Sequence, residues 1–514
     1  MAEGNGRVPG VEARAGKFPG PSLIPALHAI QREHGWLPRE ALVALSRDMR
    51  RPLYEIEGLV SFYPHFRTGP PPGEGVEVAV CRDLSCRLAR TAAPLPDGAV
   101  THEVSCVGRC DRAPVAVADE RYPDADRGAG RRPNDPYASV DEHYGVYRTF
   151  TDDPVPVLDE SGLKGMGGAG FPTGKKWAMV RDQEAEPKYV ICNADEAEPG
   201  TFKDRQILAE QPHLVIEGML LAMRTVGASQ GWVFIRHEYE PEERVLREEL
   251  ARAAEAGVLD GVAIDVFTSP GGYILGEETA LIECMEGHRG EPRNKPPFPG
   301  GYGLHGQPTL MNNVETFASV PIILERGAEW WKAQGVNGGA GLKFFSVSGH
   351  VEAPGVFCVP GGTTVGEVIE LAGGVRDGAA LAAIQPGGAS TNFLGPDCRD
   401  LPLSFDAVAE AGSALGTGAM VVLAEGTDLL AAATDVLNFF RNESCGKCVP
   451  CRVGSGKAHT LLLEVLERGG TADDVDERID ELEEAMRLTS ICGLGQVALA
   501  PVMSVLRMQR EPVA

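Results

Sequence analysis

The chain has 514 residues, of which 73 are acidic and 48 are basic, so its formal net charge is −25. This length predicts roughly three to four domains, and the negative charge argues against a protein that binds nucleic acid or an anionic membrane through its overall field. Apolar residues make up 43% and charged residues 24% of the chain, an ordinary globular mixture that excludes general disorder.

The N-terminal part is predicted to contain short helices followed by a strand. Apolar residues recur at helical spacing within residues 22–65, where Gly35 is a plausible stop and Pro38 and Pro52 can each open a further helix. In residues 76–80, VEVAV, valines alternate with other residues, as is typical of a strand. After these elements, the composition changes to Pro, Gly, Asp and Arg, which favours an exposed linker.

The following segment alternates strand-like and helix-like runs, which is typical of an α/β domain with a largely parallel sheet. The strand-like runs are 189–192, 232–236 and 263–267, and the helical runs are 205–226 and 241–256. Residues 343–423 predict a small α+β module with one helix over 364–372, and the tail from Thr427 onward is predicted to be helical. We therefore expect a multidomain α/β protein divided at 1–120, 121–154 (linker), 155–335, 340–425 and 426–514.

No segment is predicted to target the chain or to cross a membrane. The first 20 residues lack the continuous apolar region of a signal peptide. Glu217 interrupts the most apolar stretch, residues 214–223, which is too short for a spanning helix. We expect a cytoplasmic protein without direct membrane insertion, and in a reducing compartment clustered cysteines indicate metal ligands or catalytic thiols rather than disulfides.

Three cysteines are grouped in the string ESCGKCVPCR near the C-terminus. Cys445, Cys448 and Cys451 follow the spacing C-x2-C-x2-C, and Cys492 follows in TSICGLG. Two-residue spacers let successive sulfurs reach adjacent iron atoms, and a distant fourth cysteine commonly completes the set. We therefore predict a [4Fe–4S] cluster, with zinc as the alternative, although zinc sites usually pair two C-x2-C knuckles.

A second group of cysteines lies in CRDLSC and SCVGRC. Cys81 and Cys86 form one pair, and Cys106 and Cys110 form the other. Two pairs on two loops suit a [2Fe–2S] cluster with one iron held by each pair; the alternative is that the cysteines are retained without a cluster. The isolated cysteines are expected to be buried hydrophobes or surface thiols, and they are Cys192, Cys284, Cys358 and Cys398.

A glycine-rich string, SGLKGMGGAGFPTGKKW, contains Gly165-x-Gly167-x-x-Gly170. This spacing formally matches the dinucleotide fingerprint, but that fingerprint needs a strand just before its first glycine, whereas the strand-like YVIC follows the loop. Consecutive glycines expose backbone N–H groups, and neighbouring lysines supply positive charge. The string therefore predicts phosphate or ring binding rather than an ordinary Rossmann site, with a flexible surface turn as the alternative.

Three acidic strings accompany the glycine-rich loop: they occupy residues 192–205, 271–299 and 312–316. Carboxylates and amides beside glycines can accept hydrogen bonds from ribose hydroxyls and imide N–H groups, and Tyr273 and Phe298 can stack on planar rings. Any one such carboxylate is usually a solvated surface group. Only the combination of the three strings with the glycine-rich loop indicates a ligand that has ribose hydroxyls, an imide group and planar rings.

Together these strings resemble the flavin-bearing, NADH-handling subunit shared by respiratory complex I, NAD-linked hydrogenases and NAD-dependent formate dehydrogenases. Residues 20–120 are similar to the small thioredoxin-like [2Fe–2S] subunit that accompanies it, and residues 343–423 resemble its ubiquitin-like β-grasp insert. The resemblance implies an N-terminal thioredoxin-like domain, an α/β domain for FMN and NADH, a β-grasp insert and a C-terminal helical bundle with the [4Fe–4S] cluster. It implies the cofactors FMN, NAD(H), [4Fe–4S] and [2Fe–2S].

The resemblance also assigns site residues, because the family's motifs match positions of this chain. It implies that FMN is contacted by Gly165, Gly167, Gly168, Lys176, Asn193, Asp195, Glu196, Tyr273, Gly276, Glu277, Asn312, Asn313 and Thr316. It implies that NAD is contacted by Phe171, Glu198, Glu278 and Phe298. It matches Cys445, Cys448, Cys451 and Cys492 to the family's [4Fe–4S] ligands.

Several residues depart from the family's usual pattern. Met166 stands where complex I subunits usually have arginine, His237 replaces a glycine, and the spacing between Cys86 and Cys106 is unusually short. The fused N-terminal part and the strings GLKGMGGAG and GGYILGEE look more like a formate dehydrogenase diaphorase subunit than a respiratory one. We therefore expect a large catalytic partner subunit with further iron–sulfur clusters, namely a molybdenum or tungsten formate dehydrogenase.

The expected chemistry follows from electron counting. Nicotinamide exchanges a hydride, which carries two electrons, whereas an iron–sulfur cluster exchanges one, so a flavin has to stand between them. We expect hydride transfer between NAD(H) and FMN and single-electron transfer through the C-terminal cluster, with no catalytic side chain. The alternatives are an equivalent subunit of complex I or of an NAD-linked hydrogenase and, in a different class, a zinc-bearing scaffold without turnover.

Overall fold

The computed structural model describes residues 22–70, 75–89, 91–128 and 132–510, which form three sheets. The N-terminal part comprises α1 (Leu23–His34), α2 (Arg39–Asp48), α3 (Leu53–Val60), β1 (Val76–Cys81), α4 (Leu84–Arg87), β2 (Ala99–Val104) and β3 (Ala116–Ala118). Gly35 ends α1 in the left-handed region, and Pro38 and Pro52 stand directly before α2 and α3, so the predicted helix boundaries are confirmed. β1 pairs in parallel with β2 and in antiparallel with β3.

The second part is an α/β unit. Its elements are α5 (Gly145–Thr149), α6 (Pro154–Ser161), α7 (Thr173–Arg181), β4 (Tyr189–Ala194), α8 (Lys203–Glu210), α9 (Pro212–Val226), β5 (Gln230–Arg236), α10 (Glu240–Glu255), β6 (Ala263–Ser269), α11 (Glu278–Met285), β7 (Thr309–Asn313), α12 (Val314–Arg326) and α13 (Ala328–Ala333). The sheet order is β6-β5-β4-β7, and every pair is parallel. The strand order therefore reverses between β4 and β7, which in open parallel sheets creates a ligand-binding crevice at the carboxyl ends of the strands.

The helical run predicted over residues 205–226 is divided into α8 and α9. Gln211 separates them with φ −132° and ψ 41°, and Pro212 opens α9. Proline suits the first turn of a helix because its missing N–H would be unpaired there, but it cannot continue a helix that is already formed. The break therefore falls at Gln211, six residues after the end of the first acidic string.

The third and fourth parts follow in chain order. The third contains β8 (Leu342–Gly349), β9 (Gly355–Pro360), α14 (Val365–Leu371), β10 (Leu381–Gln385), α15 (Phe405–Glu410) and β11 (Ala419–Ala424), with sheet order β10-β11-β8-β9. The fourth is helical and contains α16 (Leu429–Asn442), α17 (Val449–Glu467), α18 (Arg478–Thr489), α19 (Gly493–Val497) and α20 (Ala500–Arg510). The predicted helix over 364–372 is confirmed, and a capping box at Thr364 and Glu367 fixes its start.

The expectation of an exposed linker over residues 121–154 is wrong for its second half. Tyr137, Tyr144 and Val146 are buried in the core of the α/β unit. The cause lies in α9, where Glu217 is fully buried and accepts hydrogen bonds from the Tyr137 hydroxyl at 2.7 Å and the Tyr147 amide at 2.8 Å. A buried carboxylate needs such donors, so the apolar helix recruits this segment. Within the described ranges, no helix is long and apolar enough to cross a membrane.

Candidate cofactor-binding site

Two asparagines meet at the point where the strand order of the parallel sheet reverses. The register of β4 and β7 places Asn193 beside Asn313 and Cys192 beside Asn312, all at the carboxyl ends of the strands. The Asn193 side chain donates to the Gly276 carbonyl at 3.0 Å, which brings the second acidic string to the same edge. The topology thus unites three sequence strings that are far apart in the chain.

The glycine-rich loop, residues 164–172, closes over this edge. A backbone bridge joins its two ends, and the Met166 amide donates to the Thr316 hydroxyl at 2.9 Å, which ties the loop to the start of α12. A Cβ at Gly167 would lie only 3.1 Å from Cβ of Asn313. The loop can therefore approach β7 this closely only because position 167 carries no side chain.

Lys176 and Lys175 are neighbours in sequence but have different surroundings. Lys175 is exposed, whereas Lys176 reaches inward and its ammonium donates to the Met311 carbonyl at 3.1 Å. Burial lowers the pKa of Lys176, although the charge of Glu278 opposes the shift. An anionic group bound beside the glycine-rich loop would favour the charged form of Lys176 and so oppose the lowering of its pKa.

Asp195 is the carboxylate in the site that points most directly to a ligand. Its side chain is buried, and among the residues that the structure describes neither carboxylate oxygen has a partner at normal hydrogen-bond geometry. Burial raises its pKa to about 7, with Arg236 opposing the shift and Glu238 adding to it. Because buried polar atoms in native proteins are almost always paired, this unpaired carboxylate fits a bound group that donates N–H or O–H.

The neighbouring Glu196 has a structural role. Its carboxylate accepts from the backbone amides of Asp204 and Arg205 at 2.9 and 3.1 Å, at the start of α8, and from the Tyr239 hydroxyl at 2.9 Å. Burial raises its pKa to about 8. These contacts satisfy amides that a helix leaves unpaired at its start, so Glu196 shapes the loop on which Asp195 stands.

A buried ionic network, absent from the sequence-based site residues, supports Asn313. Lys203 pairs with Asp204 at 2.7 Å and with Glu315 at 2.9 Å, and Glu315 also pairs with Lys343 of β8 at 2.7 Å. Asn313 donates to Asp204 at 2.5 Å. All four charged side chains are almost fully buried, so the network fixes the end of β7 and joins the α/β unit to the third sheet. In the sequence, Lys203 and Asp204 of this network stand in the first acidic string and Glu315 stands in the third.

The second acidic string shapes a loop and a helix start. Gly271 and Gly272 adopt φ of 83° and 112°, a backbone that residues with side chains rarely adopt. Glu277 then caps α11, accepting from the amides of Thr279 and Ala280, both at 2.9 Å. Glu277 therefore fixes where α11 begins. It directly follows Gly276, whose carbonyl accepts from Asn193.

The residues expected to contact NAD occupy two different environments. Phe171 and Phe298 are 42% and 56% exposed, which leaves ring faces open to solvent. Glu278 pairs with Lys295 at 2.9 Å. Glu198 is buried, and its carboxylate accepts from the Ser390 amide of the third part at 2.7 Å. Both aromatic rings are thus accessible to solvent, and Glu198 lies in a junction between two parts of the chain.

The C-terminal cysteines converge at the starts of two helices. Cys448 and Cys492 stand at the N-caps of α17 and α19, and Cys451 lies in the first turn of α17. A Cβ at Gly495 would lie 2.9 Å from Cβ of Cys451, so α19 packs directly on α17 at the cysteines. Burial raises the pKa of Cys451 to about 11 and that of Cys492 to about 12. The soft donors and the positive ends of two helices fit an anionic [4Fe–4S] cluster.

The N-terminal cysteines also converge. The sulfurs of Cys106 and Cys110 are 3.4 Å apart, and ligand atoms of Cys81, Asp83 and Cys106 lie within 4.8 Å of one another. Cys86 is half-buried, and the other three thiols are buried. Four clustered thiols in a dry site are the donor set of a [2Fe–2S] cluster, so the residues present fit this group.

Two arginines of the α/β unit hold the loop that carries the second cysteine pair. Arg236 donates to the Cys106 carbonyl at 2.7 Å, and Arg205 donates to the Gly108 carbonyl at 3.0 Å and to Asp111 at 2.8 Å. Both arginines are buried. The cysteine loop is therefore built into the wall of the α/β unit, close to the acidic string that contains Asp195.

Four family models match this chain. Residues 158–322 match the Nuo51 FMN-binding domain, and residues 431–514 match the NADH-ubiquinone oxidoreductase-F iron–sulfur binding region. Residues 17–95 match the thioredoxin-like [2Fe–2S] ferredoxin, and residues 344–394 match the SLBB domain. The predicted multidomain α/β architecture is thereby confirmed, and so are the cofactors FMN, NAD(H), [4Fe–4S] and [2Fe–2S].

The chain is also similar to curated proteins. It is 40% identical to the F-type subunit of NADH-quinone oxidoreductase of Streptomyces coelicolor. The aligned 368 residues cover 70% of this chain and 82% of the relative. Identity to the corresponding protein of Escherichia coli is 41% over 396 residues, or 73% of this chain and 88% of the relative. NADP-reducing hydrogenase subunit HndC of Solidesulfovibrio fructosivorans is 39% identical over 384 residues, which is 72% of this chain and 78% of the relative.

A solved structure extends the similarity to nearly the whole chain. A chain of the NAD+-reducing [NiFe]-hydrogenase in its H2-reduced state superposes with a TM-score of 0.83 at 31% identity, covering 96% of this chain and 92% of that chain. These relatives support the predicted enzyme class, an NAD-dependent flavin and iron–sulfur oxidoreductase. The chain belongs to the family of F-type subunits of NADH-quinone oxidoreductase and their hydrogenase counterparts.

Proposed function

We propose that this chain is the cytoplasmic diaphorase subunit of an NAD-dependent formate dehydrogenase, exchanging electrons between NAD(H) and a molybdenum- or tungsten-containing partner subunit. The observation that carries the diaphorase role is the meeting of the glycine loop, two strand-end asparagines and an unpaired buried carboxylate at one edge of a parallel sheet. FMN, when bound, supplies the conversion between two-electron and one-electron transfer. The chain supplies binding, orientation and the route to its clusters.

The protein groups suit the different parts of a flavin nucleotide. We assign the phosphate to the amides of Gly167 and Gly168 and to Lys176, since exposed N–H groups beside a buried cation favour an anion. The Gly165 amide donates to the Phe171 carbonyl at 2.8 Å, so Gly165 shapes the loop around the phosphate. We assign the polar ring edge and the ribityl chain to the strand-end and acidic residues, whose amides and carboxylates can both donate and accept. These residues are Asn193, Asp195, Asn312, Asn313, Thr316, Tyr273, Gly276 and Glu277, with Glu196 shaping their loop.

Nicotinamide nucleotide is assigned to the open face of the same site. The exposed rings of Phe171 and Phe298 offer stacking surfaces, and Glu278 can accept from ribose hydroxyls. We also assign Glu198, which lies in the junction with the third part, to this nucleotide. No side chain has to move a proton for hydride transfer. The task of the protein is to hold the nicotinamide ring and the flavin ring face to face and to exclude other arrangements of the two rings.

The N-terminal cluster is assigned to four cysteines. The thioredoxin-like match includes Cys81 and Cys86 but ends at residue 95, so Cys106 and Cys110 are assigned on their geometry. We further propose a β-grasp insert over 340–425 and a helical [4Fe–4S] bundle over 426–514, preceded by the units 1–120 and 155–335.

The identity of the partner decides between formate and the other electron donors. The fused N-terminal unit and the strings GLKGMGGAG and GGYILGEE support the formate assignment, whereas the relatives act in quinone reduction and in hydrogenases. We expect the complex purified from its native host to reduce NAD+ with formate and to contain molybdenum or tungsten. If the complex reduces NAD+ with hydrogen and contains nickel, the partner is a hydrogenase and the formate assignment is wrong. If the purified complex is a membrane-bound quinone reductase, the chain belongs to complex I instead.

Replacing Lys176 tests the flavin phosphate assignment. We expect Lys176→Gln to weaken FMN binding by about tenfold or more, because removal of a charge-assisted contact costs roughly 1.5–3 kcal/mol. Release of FMN on dilution, followed by its fluorescence, measures the effect. Lys175→Gln is the matched control, since Lys175 is exposed and adjacent. Equal FMN affinity in both variants would remove Lys176 from the phosphate site.

A further inference from the structure

One carboxylate connects the three regions assigned to cofactors. Glu443 follows the end of α16 and stands two residues before Cys445. One of its oxygens accepts from the backbone amide of Tyr273 at 2.8 Å, and the other accepts from the hydroxyl of Ser105. Ser105 directly precedes Cys106, so Glu443 contacts both the flavin-side loop and the [2Fe–2S] loop while it begins the [4Fe–4S] loop.

The surroundings of Glu443 make this contact specific. The adjacent Gly272 has φ of 112°, and a Cβ built there would lie 4.0 Å from the Glu443 carboxylate. The Tyr273 ring packs edge-on against Phe439 of α16 with ring centroids 5.0 Å apart. The loop is therefore fixed to α16 twice, through its backbone amide and through its aromatic ring.

The contacts of Glu443 are long-range in sequence. Its partners Ser105 and Tyr273 lie 338 and 170 residues earlier in the chain. A carboxylate has two oxygens, so Glu443 can accept from each partner with a different oxygen. Glu443 thus fixes three segments of different parts of the chain relative to one another.

We propose that Glu443 is a positioning residue that holds the flavin-side, [2Fe–2S] and [4Fe–4S] loops at fixed separations and thereby sets the rate of electron transfer among the three centres. The proposal rests on the diaphorase function proposed above. With FMN and the clusters bound, NADH would leave as NAD+, and the hydride that it gives up would be divided into one proton, released to solvent, and two electrons, which the clusters would accept singly. Glu443 takes no part in the hydride step; it keeps donor and acceptor at their working distance.

The test compares three variants of the full chain, each loaded with FMN and iron. We expect Glu443→Ala and Ser105→Ala to slow the reduction of the [2Fe–2S] cluster by about tenfold or more after mixing with NADH, because a misplacement of about 1 Å at reacting centres can cost up to about 100-fold. Freeze-quench EPR measures that rate, and iron and FMN analysis confirms occupancy. Glu443→Gln should stay within about twofold of the unmodified chain, because the amide can accept from Tyr273 and donate to Ser105.

The controls separate positioning from charge and from folding. Glu425→Gln removes an exposed carboxylate from the same region of the sequence and should leave the rate unchanged. If Glu443→Ala does not fold, Ser105→Ala alone removes one of the two contacts. Unchanged cluster reduction in Ser105→Ala, or equal slowing in Glu443→Gln and Glu443→Ala, would overturn the positioning role. Absence of flavin bleaching by NADH in the unmodified chain would instead overturn the diaphorase function.

Discussion

Replacing Cys451 by serine is expected to remove the C-terminal cluster and to stop electron transfer from the flavin to a partner subunit. Cys451 is the most deeply buried of the four C-terminal cysteines, and it sits where α19 packs on α17. A serine oxygen is a poor ligand for iron in a soft thiolate site. We expect loss of about four iron atoms per chain and a fall of more than about 100-fold in NADH-driven reduction of the partner.

Iron analysis and EPR of the reduced protein measure the first effect, and stopped-flow reduction of the partner measures the second. Bleaching of FMN by NADH should persist in Cys451→Ser, because hydride transfer precedes the cluster. Cys398→Ser is the control: this half-buried cysteine lies in the third part of the chain, outside either group. Full iron content in Cys451→Ser would exclude this residue from the ligand set.

Replacing Lys203 by methionine is expected to destabilise the α/β unit by about 3–5 kcal/mol, because the change leaves buried carboxylates without their shared cation. Lys203 is fully buried between Asp204 and Glu315. Those two carboxylates raise the pKa of Lys203 although burial opposes them. For a unit of this size, the thermal midpoint should fall by about 10 °C, as measured by scanning calorimetry.

Two further variants show whether the effect of Lys203→Met comes from burial. Lys332→Met removes one partner of the ion pair with Glu329 on the surface, and its midpoint should stay within about 2 °C because exposed pairs contribute little. Adding Asp204→Asn to Lys203→Met should recover part of the loss, since Asp204 is left without a cation whereas Glu315 keeps its pair with Lys343. An equal loss in Lys203→Met and Lys332→Met would contradict the electrostatic explanation.

The sequence predicted those parts of the fold that depend on local chemistry. Gly35, Pro38 and Pro52 mark helix boundaries through backbone constraints that act wherever these residues occur. Three of the four strands of the parallel sheet were visible as apolar runs, whereas β7, whose five residues end in two asparagines, was not predicted. The four C-terminal cysteines were visible as a spacing. The predicted difference between the glycine loop and a Rossmann fingerprint agrees with the structure, where α7 lies between the loop and β4.

The remaining features depend on contacts between distant segments, which local patterns do not contain. Residues 137–147 have the composition of a linker, but they are recruited by Glu217 on a helix that lies 70 residues later. Glu196 matches the flavin motif by position, yet its carboxylate is taken up by the start of α8. Glu443 was visible only as the first letter of ESCGKC, and its partners became apparent once the topology had brought Ser105 and Tyr273 beside it.

The N-terminal helices share one apolar core with α11 and with the C-terminal helices. Tyr63, after α3, donates at 2.7 Å to the carbonyl of His288, which follows α11 of the α/β unit. If the N-terminal part were a separate polypeptide, this core would be a subunit interface that forms only after collision. Fusion makes the encounter intramolecular, at an effective concentration on the order of millimolar. Each flavin site is then matched with its own N-terminal cluster in a strict one-to-one stoichiometry, whatever the expression level.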